Sequence, residues 1–162
     1  MFAKTNNKIM DKIIGFLRYD MKKALNMYIA VLMIVPIVFF AYIGLALNLS
    51  QMGLRTYFDK SPISAVMFIV CLVDLIVAYV LFFKKTELVS DRKNVVTVFT
   101  ALTLFQLAVG NLISLVLGII VLYLSKDISS NKKLSKDFMY LLIGCTPLYV
   151  TSALFLINMG IH

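Results

Sequence analysis

The charges in this chain are segregated, and that segregation constrains the fold more than any other feature. No Asp, Glu, Lys or Arg occurs in residues 24–54, 94–125 or 138–162, and residues 61–83 hold only Asp74. Each stretch reaches the roughly 20 residues that an α-helix needs to cross a hydrocarbon core of about 30 Å. Four such stretches, separated by charged linkers, bury their apolar surface in lipid rather than around a soluble core. Composition agrees: 61% of the 162 residues are hydrophobic and the mean hydropathy is +0.93, against about 45–50% apolar residues in soluble domains. The expected fold class is all-α, an integral membrane four-helix bundle. Its single transmembrane domain covers residues 24–162, with spans at about 24–47, 61–83, 95–124 and 138–159.

Residues 1–23 read as a basic amphipathic segment on the cytoplasmic face. Lys4, Lys8 and Lys12 share one helical stripe, and Ile9, Ile13, Phe16 and Leu17 the opposite one. That is the pattern of a helix lying in the membrane interface with its lysines in contact with anionic headgroups. Gly15 and the Asn6-Asn7 pair weaken it, and a disordered tail is the alternative. The first apolar run is longer than a signal-peptide core of about 7–15 residues, so it is expected to stay as a span. The net charge of +8 suggests nucleic acid in a soluble protein. Beside membrane spans, lysines instead set orientation and meet lipid headgroups, so no nucleic-acid partner is expected.

Local signals sharpen the boundaries. Ser61-Pro62 reads as an N-cap followed by proline at the first helical position, and Lys84-Lys85 closes the second span. Pro36 and Pro147 fall inside spans, where each removes one backbone donor. Aromatic residues near the span ends (Tyr28, Tyr57, Phe82, Phe83, Tyr123, Tyr140) fit interfacial belts.

Orientation follows from the Lys and Arg counts, which are six before the first span and two, four and four in the successive loops. Four spans with the N-terminus inside place ten on the cytoplasmic side and six outside, which has the right sign but leaves a basic third loop outside. A third segment that dips in at Gly110-Asn111 and returns as a hairpin would make the split fourteen to two. Exposed turns at membrane depth leave backbone groups unpaired unless protein covers them. Gly110, Ser114 and Gly118 also form a small-residue row suited to close helix packing. The continuous third span is therefore the expectation.

The polar residues inside the spans are few. Asp74 lies near the middle of its span, where a charge costs about 2.5–3.5 kcal/mol on insertion scales, and no Lys or Arg lies within a span to neutralise it. Ser64, Cys71, Asp74 and Ala78 recur at helical spacing, so the carboxylate is expected to face the bundle. Thr103, Gln106 and Gly110 on one face of the third segment, leading into the Ser114/Gly118 row with Asn111 beside it, are its expected neighbours. Asp74, Gln106 and Asn111 are thus the candidate intramembrane polar site, either a proton or cation site or an interhelical clamp.

Enzyme chemistry is not expected. Intramembrane hydrolysis needs a nucleophile–base pair or two carboxylates, and the spans hold one carboxylate and no internal histidine, His162 being the last residue. Cys71 and Cys145 form no metal-ligand spacing, and neither a metal site nor a cofactor is expected.

The function expected from these features is a non-catalytic accessory role, as a regulatory, stabilising or immunity-type partner of another membrane component. One alternative is a protomer of a homo-oligomeric proton- or cation-coupled transporter or channel using Asp74. Another is a lipid-interacting, membrane-shaping protein. Expected partners are the lipid bilayer with its anionic headgroups, and another membrane protein or a second copy of the chain. The tryptophan-free composition, rich in Lys, Asn and Ile, points to a bacterial plasma membrane.

Overall fold

A computed structural model describes residues 20–128 and 135–161. Every element in it is helical. We label them α1 (Met21–Ser50), α2 (Leu54–Lys60), α3 (Pro62–Phe83), α4 (Lys85–Val89), α5 (Arg92–Ala108), α6 (Leu112–Leu124) and α7 (Lys136–Ile161). A single 3-10 turn, Ser125–Asp127, follows α6.

Three of these helices, α1, α3 and α7, are long and apolar enough to cross a membrane. They match three of the expected spans to within a few residues at each end. α1 and α7 run on through Pro36 and Pro147. Ser61 does precede Pro62 at the start of α3, but its hydroxyl pairs with the Ser64 hydroxyl at 2.8 Å rather than capping a backbone N–H. The amphipathic segment with Lys4, Lys8 and Lys12 lies outside the described residues, as does His162.

The third segment is not one continuous span. It is two helices, α5 and α6, folded back on each other about Val109, Gly110 and Asn111. The close approach of Thr103 and Gly118 shows the fold-back: a Cβ built on Gly118 would collide with the Thr103 hydroxyl. In one straight helix these residues would stand about 22 Å apart at 1.5 Å per residue. The objection to a hairpin, unpaired backbone at the turn, is met locally. Gly110 takes φ 77°, a left-handed conformation that favours glycine. The Asn111 N–H then bonds to the Gln106 carbonyl at 2.9 Å and the Gly110 N–H to the Leu107 carbonyl at 3.2 Å, the paired bonds of a Schellman helix end. The next residue starts α6 at once, with Asn111 Oδ1 accepting from the Ser114 N–H at 3.2 Å. The small-residue row therefore does not run through Gly110, because the helix ends there.

The helices close into a ring in which α1 packs on α3 and α6, α3 on α7, and α5 on both α6 and α7. One face of each helix, repeating every three or four residues, supplies the interior: Leu25, Tyr28 and Leu32 of α1, Val70, Val77 and Leu81 of α3, Val95, Phe99 and Leu102 of α5. Outward positions such as Ile37, Leu45, Ile76, Leu104, Ile113 and Leu154 are exposed. Such a skin suits lipid rather than water.

One end of the ring is basic. It gathers the start of α1, the α3–α4 junction, the start of α5, the end of α6 and the start of α7. Lys84 ties these together, with Nζ at 2.6 Å from Asp137 and 3.6 Å from Glu87. Ser135 adds two links, donating its hydroxyl to Glu87 at 2.5 Å and its N–H to Asn94 Oδ1 at 3.1 Å. Among the described residues this end carries Lys22, Lys23, Lys84, Lys85, Arg92, Lys93, Lys126 and Lys136, whereas the opposite loop carries Arg55 and Lys60. The hairpin leaves the basic end and returns to it.

Candidate functional site

Halfway along the ring, three helices contribute one polar group each to a buried cluster. α3 supplies Asp74, 2% exposed, α5 supplies Gln106 and α7 supplies Tyr149, both almost fully enclosed. Asp74 faces inward because it lies on the apolar stripe of α3 that carries Val70, Cys71, Val73, Val77, Ala78 and Leu81. Gln106 lies one turn from Thr103 on the face of α5 that also buries Phe99 and Leu102. Tyr149 stacks its ring on Phe105, centroids 5.0 Å apart, which aims its hydroxyl across the bundle.

Both side-chain donors converge on one carboxylate oxygen. Tyr149 Oη donates to Asp74 Oδ1 at 2.5 Å and Gln106 Nε2 donates to the same atom at 2.7 Å. Gln106 Nε2 also lies 3.4 Å from Tyr149 Oη, closing a three-membered network. Hydrogen bonds to a carboxylate are stronger than neutral ones, and in lipid the alternative for each group is an unpaired buried dipole. An oxygen that only accepts suits either an ionised carboxylate or the carbonyl oxygen of a neutral acid that keeps its proton on Oδ2.

Around this triad lie four buried oxygens without a hydrogen-bond partner among the described residues: Tyr28 Oη, Thr103 Oγ1, Gln106 Oε1 and Ser114 Oγ. Hairpin register brings them near one another. Thr103 faces Gly118, which places Gln106, one turn nearer the tip, opposite Ser114. The Tyr28 ring from α1 reaches the same seam, 3.6 Å from the position of a Gly118 Cβ and 4.9 Å, centroid to centroid, from Phe99. The seam therefore presents hydroxyl and amide oxygens and a carboxylate, with no Lys or Arg in the apolar stretches 24–54, 61–83, 94–125 and 138–162.

The structure brings some of the expected residues together and separates others. Asp74 and Gln106 do meet. Asn111 does not join them; it is the N-cap of α6 at the hairpin turn, because the chain reverses there. Ser114 and Gly118 pack inside the molecule, against α5 and α1, whereas Gly110 is the exposed turn residue. Tyr28 belongs to the core rather than to an interfacial belt, since it is fully buried. Tyr149 was the residue the sequence reading missed. Its signal was there: Cys145, Tyr149 and Ser152 repeat at helical spacing on one face of α7, and all three are buried. A tyrosine at mid-span needs a partner for its hydroxyl.

Among the described residues outside the spans, Lys84 is the one group with a clear shift. The hydrogen bond it donates to Asp137, with that residue's charge and then Glu87, raises its pKa above the ordinary lysine value. Among the described residues no group of three His, Cys, Asp or Glu side chains is placed to hold a metal. No protein-family model, curated protein or solved structure matches this chain.

Proposed function

We propose that this chain is a small polytopic membrane protein with a non-catalytic accessory role, one that regulates, stabilises or protects against another membrane component. The observation that carries this reading is the use made of Asp74. Asp74, the only acid in the apolar stretches 24–54, 61–83, 94–125 and 138–162, is held in a clamp that joins α3, α5 and α7. A scaffold braced in this way offers its partner an apolar outer surface rather than a reactive centre. Capture of the tagged protein from native membranes in mild detergent tests it. A stoichiometric second membrane protein, retained by Asp74→Asn and lost with Asp74→Leu, is the expected result. Asparagine keeps the accepting oxygen of the clamp, whereas leucine removes it. Recovery of only the chain itself, with no change in any partner's level on deletion, would overturn the reading.

The second reading, a proton- or cation-coupled protomer, is favoured by the four unpartnered oxygens beside Asp74. It makes the opposite prediction for the same variant: Asp74→Asn folds but abolishes flux in liposomes.

We place the basic end in the cytoplasm of a bacterial plasma membrane. Three crossings plus a hairpin that returns to its own side leave fourteen Lys and Arg residues inside and two outside, in line with the positive-inside rule. The N-terminus is then cytoplasmic and the C-terminus external. Reporter fusions after residue 52 and at the C-terminus should both report the outer side, and a fusion at residue 130 the inner side.

A further inference from the structure

The basic end holds a cavity that the Asp74 network does not touch. It has a volume of about 560 Å³ and lies between the first turns of α1 and α4, lined by Lys22, Leu25, Asn26, Lys85, Thr86, Val89 and Ser90. Small-molecule sites fall at about 300–1,000 Å³, so the space is of ligand size.

We infer that this cavity is a site for the headgroup of an anionic glycerophospholipid, with the phosphodiester between Lys22 and Lys85. Three observations carry this. The first is charge. No carboxylate lines the cavity among the described residues, because the acid of α4, Glu87, is turned to the far side and held there by Lys84 and Ser135. Asp137 is likewise taken by Lys84. The two cavity lysines are in no ion pair among the described residues, although the Lys85 ammonium lies 5.3 Å over the Phe82 ring. The second is chemistry. Asn26 and Thr86 add neutral donors that suit phosphate and glycerol oxygens, the Ser90 hydroxyl being given to the Glu87 carbonyl at 2.7 Å, while Leu25 and Val89 offer an apolar wall for the start of an acyl chain. The third is position. The cavity sits where α1 and α3 meet the basic end, beside the exposed Phe82 and Phe83 rings, at the level where headgroups lie.

Phosphate is the shared chemistry of a lipid headgroup and of free inorganic phosphate. The apolar wall selects the lipid. The test is a titration of the delipidated full-length protein in detergent, read by native mass spectrometry as the fraction carrying one lipid. Phosphatidylglycerol should bind about thirty-fold more tightly than phosphatidylcholine, at about five-fold per lysine. The Lys22→Gln/Lys85→Gln variant should lose that preference, while Lys93→Gln/Lys126→Gln, of equal charge at the same end, should keep it. Millimolar inorganic phosphate should not displace the lipid. Equal binding of the two lipids, or an equal loss in the control variant, would overturn the site. Displacement by inorganic phosphate would overturn the lipid as its ligand. Because both variants change only exposed lysines, unchanged helicity by circular dichroism will show that the fold persists.

Discussion

The contact between Thr103 and Gly118 allows the hairpin to be tested by energetics alone. A methyl group at position 118 would overlap the Thr103 hydroxyl and lie 3.5 Å from its Cβ, inside a ring where α1 closes the other side. Relieving the overlap requires Thr103 to change its χ1 rotamer or the two helices to move apart. Gly118→Ala should therefore destabilise by about 1–3 kcal/mol, the usual cost of overpacking. Thr103→Ala alone should cost less than about 1 kcal/mol: it gives up one methyl group but also removes a buried hydroxyl that has no partner. In the double variant the clash disappears, so the two effects should not add. We expect the pair to be more stable than the sum predicts by about 1–2 kcal/mol, within the range found for residues in contact. Reversible unfolding in mixed micelles, followed by helical circular dichroism for the wild type and three variants, measures this coupling. If the effects add to within about 0.3–0.5 kcal/mol, residues 103 and 118 do not touch and the hairpin is wrong.

Gly110→Ala should lose about 1–2 kcal/mol in the same assay, because φ 77° disfavours any Cβ even though the surrounding space is open. Gly144→Ala, in the open middle of α7, should instead be neutral or stabilising by up to about 1 kcal/mol. Tyr149→Phe should cost about 0.5–1.5 kcal/mol, the net worth of one hydrogen bond, and Gln106→Leu added to it should cost more than the two separately predict, since Asp74 then has no donor from either. The pH dependence of the basic end follows from Lys84, whose pKa is higher folded than unfolded. Its contribution is fully present below about 10.4, the ordinary lysine value, and is lost as pH rises through the raised folded value. The stability difference between wild type and Lys84→Gln should stay constant from pH 7 to about 10 and shrink above that; a difference that shrinks below pH 9 would contradict the ion pair.

Three spans were legible in the sequence because a run of apolar residues between charges has one stable solution in lipid. The third segment was misread because length and apolarity cannot distinguish one long helix from two antiparallel ones. What separates them is the turn chemistry of two residues: a glycine able to take positive φ, followed by an asparagine able to cap the next helix. Gly110-Asn111 carried both signals, and the Lys and Arg distribution favoured the same answer. The small-residue row pointed the other way, and only two of its three positions survive, Ser114 and Gly118, which are buried inside the bundle. Asp74 and Gln106 could be paired from their helical faces. The Tyr149 hydroxyl could not be assigned to them, since which end of α7 lies beside α3 depends on the hairpin.

The clamp also has a consequence for the order in which the chain is made. As α5 leaves the ribosome it presents Asn94, Thr97, Thr100, Thr103 and Gln106, a polar burden for a segment entering lipid. Three of the groups that balance this region come after the hairpin in the chain: Ser135 just before α7, and Asp137 and Tyr149 within it. Until α7 arrives, Asp74 lacks its shortest hydrogen bond, and Lys84 and Asn94 lack their partners across the basic end. The fold-back is thus completed by α7, and a nascent chain stopped before residue 135 holds a hairpin that has the Gln106–Asp74 bond but not those from Tyr149 and Ser135.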